Sequence, residues 1–139
     1  MVGLLIASHG RLAEELISTA KQIVGELSGV GSCSVEPGTS PDELRAKMKE
    51  SISALDTGEG VLVFADLIGG SPCTQSLLLC KQTHIEVLTG VNLPMLLKAL
   101  AMRATQPMPA LEELARQLTQ YGPRTITCAT EQIRKATAA

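Results

Sequence analysis

The chain carries only two histidines, His9 and His84. His9 stands in Leu4-Leu5-Ile6-Ala7-Ser8-His9-Gly10, at the end of an apolar run and ahead of a glycine. An imidazole there is held at the C-terminal end of a buried strand, and Gly10 leaves its ring uncrowded. Asp66 ends a second apolar run, Val61-Leu62-Val63-Phe64-Ala65. If the two runs are neighbouring strands, their ends lie about 5 Å apart. A carboxylate at that separation accepts a hydrogen bond from one ring nitrogen. It thereby fixes the tautomer, leaves the other nitrogen's lone pair free, and stabilises positive charge developing on the ring. Asp66 also opens the segment Asp66-Leu67-Ile68-Gly69-Gly70-Ser71-Pro72. Gly69 and Gly70 allow backbone N–H groups to approach an anion closely, and Ser71 adds a hydroxyl donor. The start of the following helix carries partial positive charge. The same residues also make an ordinary turn, with Ser71 as N-cap and Pro72 at the first helical position. The two readings are compatible, because a capping loop in a crevice is already an anion cradle.

Other chemistries fit less well. Cys33, Cys73, Cys80 and Cys128 are widely spaced and form no Cys-x-x-Cys pair, which argues against zinc and dithiol redox sites. Cys73, just after Pro72 at a helix start, is a candidate nucleophile, but it reads more simply as a small packed residue. His84 has no second ligand near it in sequence and reads as structural. Neither a G-x-x-x-x-G-K-[ST] loop nor a G-x-G-x-x-G after the first strand occurs, which argues against nucleotide and dinucleotide sites. Ser71, His9 and Asp66 would make a hydrolase triad only with a nucleophile elbow, and no G-x-S-x-G is present. The expectation is a site with no cofactor and no metal.

The elements that must position these groups follow from periodicity. Val2–Ala7 is a continuous apolar run, as in a strand buried on both faces. Apolar residues then recur at helical spacing from Leu12 to Leu27, which predicts a helix over about Arg11 to Leu27. Ser32–Glu36 is a candidate strand. Ser40, Pro41 and Glu43 form a capping-box start for a helix with Leu44, Met48, Ile52 and Leu55 on its buried stripe. Val61–Ala65 is the clearest strand. A helix over about 72–81, a strand over 84–88, a helix over 93–102 and a helix from Leu111 complete the series. Thr125-Ile126-Thr127-Cys128 alternates like an edge strand, and the tail from Ala129 is helical or frayed. The order predicts an α/β fold: a doubly wound, mostly parallel sheet with helices on both faces and a late short edge strand. Ligand crevices in such folds lie beyond the strand C-termini where strand order reverses.

Composition narrows the partners. With 139 residues and 45% of them hydrophobic, the chain suits one domain with a real core. Twelve basic against fourteen acidic residues give a net charge of −2, the wrong sign for neutralising nucleic-acid phosphates. Phe64 and Tyr121 are the only aromatic residues, so base-stacking platforms are excluded. The run Val2–Ala7 lacks a basic lead and is too short for a signal segment or a membrane span. The expectation is a cytoplasmic protein with reduced thiols.

The His9 segment, the Asp66–Pro72 segment and Gly90-Val91-Asn92-Leu93-Pro94-Met95-Leu96 together resemble the IIA domain of the mannose family of the bacterial sugar phosphotransferase system. The Val35-Glu36-Pro37-Gly38 turn is similar as well. The likeness covers residues 1–130, with 131–139 as a C-terminal tail, and Cys73-Thr74-Gln75 departs from the family pattern. The resemblance implies a phosphohistidine carrier. His9 would take a phosphoryl group from HPr and pass it to a IIB component, with membrane IIC and IID subunits completing sugar uptake. Asp66 would orient the ring, and Ser71 would lie near the phosphoryl group. The resemblance also implies a homodimer in which a late strand, here Thr125–Cys128, is exchanged onto the partner's sheet. An alternative is a regulatory binding module in which phosphorylated His9 is read by a partner without onward transfer.

Overall fold

The computed structural model describes residues 1–138. Four strands and six helices follow in order: β1 (Gly3–His9), α1 (Leu12–Val24), β2 (Val30–Val35), α2 (Pro41–Leu55), β3 (Val61–Ala65), α3 (Ser71–Leu79), β4 (Ile85–Thr89), α4 (Leu93–Arg103), α5 (Leu111–Tyr121) and α6 (Ala129–Ala138). The strands form one parallel sheet in the order β2-β1-β3-β4. The chain runs from β1 outward to β2, then crosses back to β3 on the other side. Strand order therefore reverses between β1 and β3, and both of these central strands are buried along almost their whole length.

Alternation along the strands divides the core into two layers. Leu4, Ile6, Leu62 and Phe64 face α1, α4 and α5, where they meet Ala13, Leu96, Ala99 and Leu114. Leu5, Ala7, Val61 and Val63 face the other way, toward Leu44, Met48 and Ile52 of α2 and Leu79 of α3. Continuous apolar strands are required here because helices cover both faces. At the N-terminal end of the sheet, the buried Arg103 guanidinium donates to the carbonyls of Val2 (2.9 Å), Ser28 (2.7 Å) and Gly29 (3.1 Å). One side chain thus ties α4 to the starts of β1 and β2. Among the described residues, no helix is long and apolar enough to cross a membrane.

The α2 start is as expected. Ser40 Oγ accepts from the Glu43 N–H (3.1 Å), and the Glu43 carboxylate accepts from the Ser40 N–H (3.2 Å). Strand β2 begins at Val30 rather than Ser32 and α3 ends at Leu79, and three further differences from the sequence reading have an identifiable cause. Helix α1 stops at Val24, because Gly25 takes φ +85 and its N–H closes on the Lys21 carbonyl. Leu27 lies beyond the helix yet still packs against the core, so the apolar spacing outlasts the helix. Helix α3 has Gly70 as N-cap, with Ser71 in the first helical turn and no side-chain cap. The late strand is not formed within the single chain. Residues Gly122–Thr125 wind into a 3₁₀ turn closed by Thr125 Oγ1 on the Gly122 carbonyl (2.6 Å). Ile126 is extended and 82% exposed, with no strand beside it before α6 begins. An extended segment becomes a strand only against a sheet edge, and none among the described residues receives it.

Candidate functional site

The crossover between β1 and β3 brings His9 and Asp66 together. Ala7 pairs with Ala65 across the two strands, and the Asp66 N–H continues the ladder by donating to the Ala7 carbonyl (3.2 Å). Asp66 directly follows Ala65, and His9 stands two residues beyond Ala7 at the end of β1. Asp66 Oδ2 lies 2.7 Å from His9 Nδ1 and also accepts the His9 backbone N–H at 2.8 Å. Asp66 Oδ1 accepts the Leu67 N–H at 2.9 Å. The carboxylate side chain is 9% exposed and the imidazole 51% exposed. The acid is thus the buried anchor, and the ring is the accessible partner.

Burial acts to raise the Asp66 pKa. The His9 N–H, the His9 ring and the Leu67 N–H outweigh it and hold the carboxyl below its ordinary value. Asp66 is therefore anionic at neutral pH and favours a proton on Nδ1. Nε2 is left as the unengaged ring nitrogen.

The turn beyond His9 is fixed from beneath by a residue that sequence reasoning did not assign. Ser8 is fully buried, and its Oγ accepts the Ala13 N–H at 2.8 Å. Arg11 makes no side-chain cap for α1, so Ser8 supplies that bond from three residues earlier. A serine inside an apolar strand, immediately before the histidine, was the available signal. Gly10 takes φ +55, and its N–H donates to the Val35 carbonyl at the end of β2 (3.2 Å).

The 66–71 segment passes over the ring. Gly69 takes φ +80. Gly70 lies against the imidazole, where any Cβ would stand 2.9 Å from His9 Cε1. Gly70, Ser71 and Cys73 begin α3, and backbone N–H groups at a helix start lack intrahelical partners. Ser71 is exposed, and among the described residues its hydroxyl is bonded to neither His9 nor Asp66. Leu67 (51% exposed) and Ile68 (79% exposed) form an apolar rim that the sequence reading did not single out. Cys73 is buried in α3, and His84 lies at the opposite end of the sheet, with Nε2 3.1 Å from Glu112. No group of three or more His, Cys, Asp or Glu among the described residues could hold a metal ion.

Residues 3–116 match the family model EIIA-man, described as the PTS system fructose IIA component. The chain belongs to the mannose-family IIA components of the phosphotransferase system. It is 37% identical over 107 residues to the mannose-specific EIIAB component of Escherichia coli K12, a match covering 76% of this chain and 33% of that protein. The chain thus spans about a third of the EIIAB length. Among solved structures, it superposes on the mannose/sorbose-specific IIA subunit from Enterococcus faecalis with a TM-score of 0.80. Identity there is 32%, covering 91% of this chain and 93% of that one. The EIIA component from Streptococcus agalactiae gives a TM-score of 0.84 at 25% identity, over 94% and 99% of the two chains. The parallel sheet flanked by helices is the fold of these IIA structures.

Proposed function

We propose that this IIA chain is a phosphohistidine carrier that accepts a phosphoryl group on His9 from phospho-HPr and passes it to a histidine of a IIB component. The observation that carries the reading is the 2.7 Å contact between His9 Nδ1 and Asp66. With Nδ1 engaged, the lone pair of Nε2 attacks phosphorus. The donor's N–P bond breaks as the new one forms, and its electron pair returns to the donor imidazole. Positive charge developing on the His9 ring is stabilised by the Asp66 carboxylate. Backbone N–H groups of the Gly69-Gly70-Ser71 loop and the Ser71 hydroxyl bind the phosphoryl oxygens, aided by the positive end of α3. The same parts run in reverse toward IIB.

Both transfers need a protein surface rather than an enclosed pocket. The exposed ring beside Leu67 and Ile68 suits docking of one partner at a time, and such a carrier would work in the cytoplasm and meet the membrane only through IIC and IID. We further propose a homodimer in which Thr125–Cys128 of each chain pairs with the partner's sheet. It is supported by the open edge of β4 and by the exposed, unpaired Ile126.

The test is incubation with enzyme I, HPr and phosphoenolpyruvate, followed by intact-mass measurement. The expected result is one added phosphoryl group, absent in His9→Ala and discharged by a cognate IIB. An unmodified chain would overturn the reading.

A further inference from the structure

Adjacent glycines in the 66–71 loop are there for different reasons. Gly69 has φ +80, which L side chains rarely adopt, and nothing lies within 4 Å of where its Cβ would be. Its requirement is conformational. Gly70 has φ −76 and ψ 162, extended backbone that any residue adopts, yet a Cβ there would stand 2.9 Å from His9 Cε1. Its requirement is steric, and the atom it would meet belongs to the imidazole.

We infer that Gly70 is a positioning residue for phosphoryl transfer: by lacking a side chain, it lets the His9 ring lie flush between the Asp66 carboxylate and the start of α3. Cε1 is bonded to both ring nitrogens. A displacement there lengthens the Nδ1–Asp66 contact, swings Nε2, or does both. The ring has little freedom to yield, because Asp66 Oδ2 holds both Nδ1 and the His9 backbone N–H. Gly70 is also the N-cap of α3, and its carbonyl accepts the Thr74 N–H (2.9 Å). Backing the loop away would carry the helix start with it. The same glycine therefore sets the distance between the attacking nitrogen and the amides that receive the phosphoryl oxygens. This inference rests on His9 being the phosphorylated residue.

The experiment compares Gly70→Ala with Gly69→Ala. For Gly70→Ala, the NMR resonance of the Nδ1–H bonded to Asp66 is expected to shift or vanish, with the thermal midpoint little changed. Phosphorylation by phospho-HPr should slow by about 10²-fold, the order that a misplacement of about 1 Å costs. The loss should fall on kcat rather than KM, since the added Cβ meets Leu67 of the docking rim only at ordinary contact distance, 3.5 Å from its Cγ. Gly69→Ala should lower the thermal midpoint and keep the ring resonance. A Gly70→Ala protein with the wild-type ring resonance and wild-type kcat would overturn the inference, as would Gly69→Ala disturbing the ring equally. The ring resonance is read without HPr, so failure of His9 to be phosphorylated would sink the carrier reading and leave this measurement standing.

Discussion

Asp66 does three jobs with two oxygens, and each has a measurable consequence. Replacing it with Asn keeps the shape but removes the charge that stabilises the developing imidazolium. Asp66→Asn should fold normally and accept a phosphoryl group at least about 10²-fold more slowly, measured by quenched-flow transfer from phospho-HPr. The carboxylate also contributes to stability in a pH-dependent way. Its folded pKa lies below the ordinary value of 3.8. Its contribution is therefore complete above that value and is lost as pH falls through the lower folded pKa. Urea unfolding of wild type and Asp66→Asn should differ at pH 7 and converge in strong acid. A gap that persists unchanged to low pH would remove the carboxylate's ionisation from the account. At the rim, Ile68→Glu should raise KM for phospho-HPr while leaving the Nδ1–H resonance in place. An unchanged KM would exclude Ile68 from docking.

Helix starts carry much of the site's precision. Ser8 caps α1 from inside β1, so Ser8→Ala leaves the buried Ala13 N–H unpaired, at a cost of about 1–3 kcal/mol. Differential scanning calorimetry should show that loss, and a wild-type midpoint would mean another acceptor replaces Ser8. What periodicity and turn chemistry could reveal follows the same division. Ser40, Pro41 and Glu43 marked the α2 start because capping is a local interaction, and Val61–Ala65 marked β3 because both faces of that strand are covered. Pairing of His9 with Asp66 depended on β1 lying beside β3, which the residues posed only as a condition and the sheet order supplies. The α1 end was misplaced because Leu27 remains in the core after Gly25 has ended the helix. Gly70 rather than Ser71 is the N-cap of α3, and it lies against the ring, a contact between residues 61 apart in sequence that no short window contains. The segment at Thr125 alternated like a strand, but alternation does not provide an edge to pair with.

The molecule has two unequal ends. Its N-terminal sheet end is closed by the Arg103 bonds to three carbonyls, whereas the C-terminal end presents His9, Leu67 and Ile68 to solvent. Helix α6 has no buried residue, and Ile126 and Ile133 are exposed along the final segment. Apolar side chains on an unpartnered terminal segment suit a second copy of the chain. Sedimentation should show a dimer for the full chain at micromolar concentration. Removal of residues 125–139 should give monomer or insoluble protein. A full-length chain that sediments as a stable monomer would overturn strand exchange.

The bond from the His9 backbone N–H to Asp66 Oδ2 gives the site its own clock. Most slowly exchanging amides in a sheet are shielded by another strand's carbonyl, and they open only when the ladder does. This one is shielded by a side chain that other events reach. Anything that changes the carboxylate's hold on that N–H, whether a proton on the acid, a docked partner or charge on the ring, should change how fast that single hydrogen trades with deuterated solvent. Its neighbours in β1, bonded on both sides to other strands, should keep their pace.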